Sequence, residues 1–234
     1  MGERHPMLIN ADFNKRAVVH GARQDWVPSP MAGVDRRMLD RIGEEVARAT
    51  SIVRYAEGSA FSPHTHDGGE EFLILHGVFQ DEHGDYPAGT YVRNPPTSRH
   101  TPGAEQGCLM FVKLHQFDPD DRTFVRIDTH RIGRITDPER PDVAVSPLFE
   151  DERETVQLET IAPEASFRIG DPGGFEMLVV DGTLTVDGED YEPQSWLRLP
   201  PDDYASLVVG PKAATVWVKR RHLRPSVLQH VGNL

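Results

Sequence analysis

The sequence has a single cysteine, Cys108, in 234 residues. One thiol excludes an internal disulfide and any Cys-x-x-Cys zinc knuckle, and it makes a reducing cytoplasm the expected compartment. Apolar runs are short throughout, and none approaches the ~20 residues that a membrane-spanning helix needs. Residues 1–10 lack a basic segment followed by an apolar stretch, so no signal peptide is expected. Positive charge is scarce as well: 25 Lys and Arg stand against 37 Asp and Glu, a formal net charge of -12. Such a surface repels phosphate backbones and anionic lipid, so neither nucleic acid nor membrane is an expected partner. Glycine and proline, by contrast, are plentiful. The 20 Gly and 19 Pro punctuate short apolar runs, which favours many short strands over long helices.

What the chain does have is internal self-similarity. Glu71-Phe72-Leu73-Ile74-Leu75-His76-Gly77 resembles Glu176-Met177-Leu178-Val179-Val180-Asp181-Gly182, 105 residues further on. Pro95-Pro96 and Pro200-Pro201 keep the same offset, and Phe111-Val112-Lys113 resembles Trp217-Val218-Lys219 at one residue more. A repeat of this length predicts two copies of one domain. The boundary falls near residue 130, within a polar segment that contains Pro119, Pro138 and Pro141. Residues 1–130 then form a first domain with an N-terminal extension, and residues 131–234 a second.

Both copies read as strand. Ala47 to Tyr55 is close to alternating. Phe72–Leu75 and Leu178–Val180 are short apolar runs of the kind covered on both faces. Asp67-Gly68-Gly69, Glu82-His83-Gly84-Asp85 and Asp187-Gly188-Glu189-Asp190 are turn sequences. Asp35 to Ala49 fits an amphipathic helix too, but it lacks caps and carries Gly43 at its centre, and strand is expected. Regular short strands with such turns predict an all-β sandwich or jelly roll.

The residues that carry chemistry lie between Gly58 and Ala104. His64 and His66 are two apart, so in a strand both face one side. Asp67-Gly68-Gly69 allows a tight turn, and Glu70 opens the next strand, where it can return alongside the histidines. His100 follows the Pro95-Pro96 turn and supplies a fourth donor from another strand. Imidazole with carboxylate suits zinc, iron, manganese, nickel or copper, and suits calcium or magnesium poorly. The expected cofactor is therefore one divalent transition metal on His64, His66, Glu70 and His100. Glu71 competes with Glu70 for the carboxylate position. The remaining histidines, including His5, His20, His83, His130 and His230, read as ordinary polar residues, and His76, His115 and His222 as strand-end residues. Cys108 reads as a small buried hydrophobe.

These residues resemble the first motif of the cupin superfamily, Gly-x5-His-x-His-x3-Glu-x6-Gly, with Gly58, His64, His66, Glu70 and Gly77 in register. The resemblance favours Glu70 over Glu71, because Glu70 leaves six residues before Gly77. The second motif, Gly-x5-Pro-x-Gly-x2-His-x3-Asn, is met by Gly89, Pro95 and His100, with Thr97 in place of its glycine and Ala104 in place of its asparagine. Two tandem cupin jelly rolls (double-stranded β-helices) are what the resemblance implies. Asp25 to Arg122 is similar in particular to ChrR-type cupins, through Asp25-Trp26-Val27-Pro28-Ser29-Pro30, His64–Glu71, Pro87–Pro96 and Gly107–Lys113. That likeness implies a regulatory or sensing role related to anti-sigma factors, with zinc as the foremost metal and iron, manganese or nickel as the others. ChrR binds its sigma factor through a separate helical, Cys- and His-rich zinc domain. No such segment precedes Asp25, so sigma binding by that route is not expected. Similar cupins are also dioxygenases that cleave β-diketones or hydroxyacetophenones. The alternative expectation is therefore an iron or manganese dioxygenase acting on a small diketone or aromatic ketone, and a third is a non-catalytic binder that holds a small anion on its metal. The sequence singles out no catalytic residue and leaves monomer and homodimer open.

At the repeat offset the four donors become Ile169, Asp171, Phe175 and Ala205. The second copy is therefore expected to lack metal and to serve as a structural cover for the first.

Overall fold

The stretch that reads both ways in the sequence, Asp35 to Ala49, is parts of two strands and the turn between them in the computed structural model of the chain, which describes residues 7–228. Val34–Ile42 and Arg48–Tyr55 pair antiparallel. The turn between them contains Gly43, whose φ of +111° is open to glycine and strained for other residues. The long apolar runs are also strands, Glu70–Asp81 and Phe175–Asp181, each with its first five residues buried. Burial on both faces explains why these runs do not alternate between apolar and polar. Among the described residues the α-helix is confined to Pro225–Leu228. His5 and His230 lie outside the described residues.

The chain divides into two compact units. The first contains residues 7–11 and Asp25–His130; the second contains Asp12–Gln24 and residues 131–228. The chain is predominantly antiparallel β-sheet, in several sheets, as in a cupin or jelly-roll fold.

In the first unit the strand order is Leu8–Ile9, Val34–Ile42, Arg48–Tyr55, Cys108–Leu114, Glu70–Asp81, Thr90–Asn94, Val125–Asp128. The Glu70–Asp81 strand changes partners part-way. Its first half pairs with Thr90–Asn94 and Cys108–Leu114, and its end pairs with Gly84–Pro87. The change falls at Gly77, with φ +74°, where a Cβ would come 2.2 Å from the carbonyl oxygen of Gly107. Only glycine fits there, which gives this motif position a steric reason. The core between the sheets contains Val34, Val53, Phe72, Ile74, Phe79, Tyr86, Val92, Ala104, Cys108, Met110 and Val112.

In the second unit the order is Ile135–Thr136, Val143–Glu150, Thr155–Ile161, Ala214–Arg220, Phe175–Asp181, Ser195–Leu199, Ala17–His20. A four-stranded sheet of Ser166–Gly170, Tyr204–Val209, Leu184–Val186 and Glu189–Tyr191 accompanies it. The last strand of the larger sheet comes from the N-terminal segment, and Val19 stands opposite Trp196. Arg16 ties that segment down by ion pairs to Asp187 and Asp203. Exposed pairs of this kind contribute ~0–1 kcal/mol each. The core built on Val143, Ile161, Phe175, Met177, Leu197, Leu207 and Val216 outweighs them, at ~1.5–3 kcal/mol for each large side chain buried.

Candidate metal centre

His64–His66 is a three-residue strand paired antiparallel with Ser98–His100, and His100 stands directly opposite His64. The two-residue period puts His66 on the same face as His64. The result is a cluster of three imidazoles, with ring centroids 4.8 Å apart for His64–His66, 4.9 Å for His64–His100 and 4.7 Å for His66–His100. One ligand atom from each residue lies within 4.8 Å of the others. His66 and His100 are buried, and His64 is half-buried.

Glu70 joins them. Its Oε2 is 3.4 Å from His66 Nε2 and 3.9 Å from His100 Nε2, and it accepts a hydrogen bond from Asn94 Nδ2 at 3.3 Å. Glu71 points to the opposite face of the strand, where its Oε1 accepts from the Tyr91 hydroxyl at 2.6 Å. Strand alternation thus separates the two neighbouring carboxylates.

The nitrogens facing away from the cluster show what those facing inward can do. His100 Nδ1 lies 3.3 Å from Asp81 Oδ2, and His64 Nδ1 lies 3.4 Å from the Ser62 carbonyl. A carboxylate and a carbonyl only accept, so Nδ1 carries the proton in each ring and Nε2 presents a lone pair. Asp81 is itself fixed, because its Oδ1 accepts from the Tyr86 hydroxyl at 2.9 Å and from the His83 amide at 2.8 Å. A histidine oriented by an outer carboxylate is a common arrangement around bound metals. His66 Nε2 and His100 Nε2 are 3.0 Å apart. Lone pairs and a carboxylate oxygen that converge in a buried space suit a divalent transition metal.

The cluster opens on a cavity of about 320 Å³ in the first unit. Val53, Met110, Val112 and Leu114 give it an apolar wall, and Tyr55, Arg36, Arg41 and His115 give it polar groups. Burial and the nearby Glu70 carboxylate both push the Tyr55 hydroxyl far above the ordinary phenol range, so it remains a neutral donor. Burial pushes His115 down, and this outweighs the opposing pull of Asp67. The sequence reading set His115 aside as a strand-end residue, and it did not single out Tyr55, Asp81, Arg36 or Arg41. None of these lies in a motif, and long-range strand pairing brings them to the site. Cys108 is remote from such chemistry: it packs in the core, and burial pushes its thiol up to about 12.

In the second unit Ile169 stands opposite Ala205. Both belong to the apolar core together with Phe175. Asp171 Oδ1 is engaged by the Gly173 amide at 2.6 Å. Apolar side chains therefore fill the positions that the repeat offset aligns with His64, Glu70 and His100.

Residues 14–118 match the family model described as "ChrR Cupin-like domain". No curated protein matches the sequence. Among solved structures, the chain is similar to a candidate dioxygenase from Nostoc punctiforme, with TM-score 0.70 and 15% identity over 92% of this chain and 82% of that one. It is similar to the protein Ylba of E. coli, with TM-score 0.69 and 12% identity over 93% and 94%. An oxalate decarboxylase variant of Bacillus subtilis matches with TM-score 0.61 and 11% identity over 87% and 76%. At such identities these likenesses show the fold, which is of the cupin kind.

Proposed function

We propose that the chain is a metal-dependent cupin oxygenase. In this reading His64, His66, His100 and Glu70 of the first of two tandem jelly rolls hold iron or manganese, and the substrate is a small carbonyl compound such as a diketone or an aromatic ketone. The observation that carries the reading is the cavity of about 320 Å³ that adjoins the three-histidine cluster. Structural zinc sites are closed by four protein donors, commonly thiolates, whereas a catalytic ion keeps positions open. Here the donors are nitrogen and oxygen, the one thiol is packed in the core, and there is room for a ligand beside the cluster. This supports an oxygenase over the closed zinc sensor that a ChrR-type likeness implies.

When bound, the ion would supply Lewis acidity toward a carbonyl oxygen and a redox centre for O₂. The protein's own groups have separable tasks. Asp81 fixes the His100 tautomer, and Asn94 orients Glu70. The apolar wall excludes water, and the neutral Tyr55 hydroxyl can donate to a substrate oxygen. The second unit, apolar at the aligned positions, serves as a structural partner domain.

Elemental analysis of protein purified without added metal tests this directly. The expected result is about one iron or manganese per chain and oxygen uptake with a diketone. Bound metal should fall to near zero in His66→Ala and His100→Ala, and Asp81→Asn should weaken metal binding ~10–100-fold. Zinc alone, with no oxygen uptake after reloading with iron or manganese, would overturn the oxygenase reading. Full metal retention in both alanine variants would overturn the ligand set.

A further inference from the structure

Beside its apolar residues the cavity wall carries two cationic side chains, Arg36 and Arg41, and a backbone irregularity explains how both come to be there. Arg36 and Arg41 are five apart on the Val34–Ile42 strand. In a regular strand an odd spacing sends two side chains to opposite faces. Here the register slips between Met38 and Asp40, so that Arg36 stands opposite Val53, Met38 opposite Ser51 and Arg41 opposite Ala49. Val53, Ser51 and Ala49 alternate along the neighbouring strand, so they share one face, and all three line the cavity. The bulge at Leu39 therefore turns Arg41 to the side that Arg36 already occupies.

Neither guanidinium is closely neutralised among the described residues. Arg41 is 4% exposed and donates to two backbone carbonyls, of Gly43 and Glu44, which are neutral acceptors. Burial and then the charge of Arg36 push its pKa down, and together they outweigh the opposing pull of Glu45 and Glu44. Arg36 has a buried Nε without a hydrogen-bond partner. Its ion pair is a long one, 3.7 Å from Nη2 to Glu45, whose side chain is 65% exposed. Nε with one Nη is the edge of the guanidinium that takes a carboxylate in bidentate fashion. With a divalent ion bound, the two arginines and the ion outweigh Glu45 and Glu70, the acidic residues of the cavity wall.

We propose that Arg36 and Arg41 form an anion subsite, and that the substrate is a short oxo acid whose carboxylate seats on these arginines while its oxo group faces the metal cluster. This rests on the metal-centre reading above and narrows it from uncharged ketones to carboxylates. The cavity, about 320 Å³, sits at the small end of ligand pockets, which suits a compact molecule.

The test compares acetoacetate with acetylacetone, which differ by the carboxylate, as calorimetric ligands of the full-length protein. Metal content is measured on the same samples. A charge-assisted bidentate contact predicts that acetoacetate binds roughly ten-fold tighter or more, with the advantage shrinking as salt is added. Arg36→Gln should remove the preference at unchanged metal content and melting temperature, and Arg36→Lys should restore part of it. Arg41 also holds the Gly43–Glu44 turn, so Arg36 is the safer position to vary. Metal-free protein should retain a weaker preference for acetoacetate, because the arginines do not depend on the ion. Equal or tighter binding of acetylacetone by the wild type, or a preference that survives in Arg36→Gln, would overturn the subsite. A preference for acetoacetate without oxygen uptake supports the subsite and counts against the oxygenase. Oxygen uptake on diketones with no preference for the acid counts against the subsite alone.

Discussion

Thr97 stands where the second cupin motif has glycine, and the backbone there is left-handed, with φ +73°. A non-glycine residue pays ~1–2 kcal/mol for that region. Glycine would relieve this but lose ~0.5–1 kcal/mol through the greater freedom of the unfolded chain. The balance predicts that Thr97→Gly stabilises the first unit by up to about 1.5 kcal/mol. The expected observation is a higher urea midpoint with unchanged metal content; a lower midpoint would show that the threonine is held by contacts that outweigh its strain. Asp202, at the aligned position of the second unit, has φ +61°, so both Pro-Pro turns use the same backbone shape without glycine. Ala104, the other departure from the motif, is fully buried in the core.

At the scale of an element, the Thr155–Ile161 strand has an acid-sensitive feature. Glu159 is 2% exposed, and Arg140 and Arg220 pair with its Oε1 at 2.9 and 2.6 Å. Burial alone would raise its pKa, but the charge of Arg220 and the bonds from Arg140 more than reverse this and hold it below its ordinary 4.5. A carboxylate whose folded pKa is depressed adds stability that is complete above its unfolded pKa and is lost as pH falls through the folded value. Glu159→Gln should therefore destabilise the second unit at neutral pH by ~1.5–3 kcal/mol, since Arg220 loses its carboxylate while Arg140 keeps Asp137. The gap between variant and wild type should narrow as pH falls below about 4.5, the ordinary glutamate value. Urea titrations at pH 7 and at successively lower pH measure it, and a gap independent of pH would contradict the ion-pair account.

For the molecule as a whole, the notable connection is that Asp12–Gln24 counts with the second unit, while the residues on either side of it count with the first. The sequence reading placed this segment in an N-terminal extension of the first domain. Ala17–His20 is an edge strand against Ser195–Leu199. Adjacent amides along a strand point to opposite sides, so a Val18→Pro, Val19→Pro double substitution must remove one donor facing the neighbouring strand. Hydrogen exchange at Ser195–Leu199 should accelerate, while protection at Cys108–Leu114 stays as in the wild type. Unchanged protection at Ser195–Leu199 would mean that this strand contributes little to the unit.

The sequence by itself determined that the chain is built of short antiparallel strands. It also determined that His64, His66, Glu70 and His100 could meet, because strand periodicity, turn residues and motif spacing are local properties. It separated Glu70 from Glu71 only by motif spacing, whereas the structure separates them by the face each side chain takes. Other features depended on which strands lie side by side, and local spacing does not encode that. The sheet that receives Ala17–His20 is one case. The Asp81 carboxylate behind His100 is another: it lies 19 residues away in sequence and joins the site through the far end of a strand that changes sheets at Gly77. The two arginines show the reason most clearly. Their odd spacing predicts opposite faces, and only the bulge formed when Val34–Ile42 pairs with Arg48–Tyr55 puts both on the cavity wall.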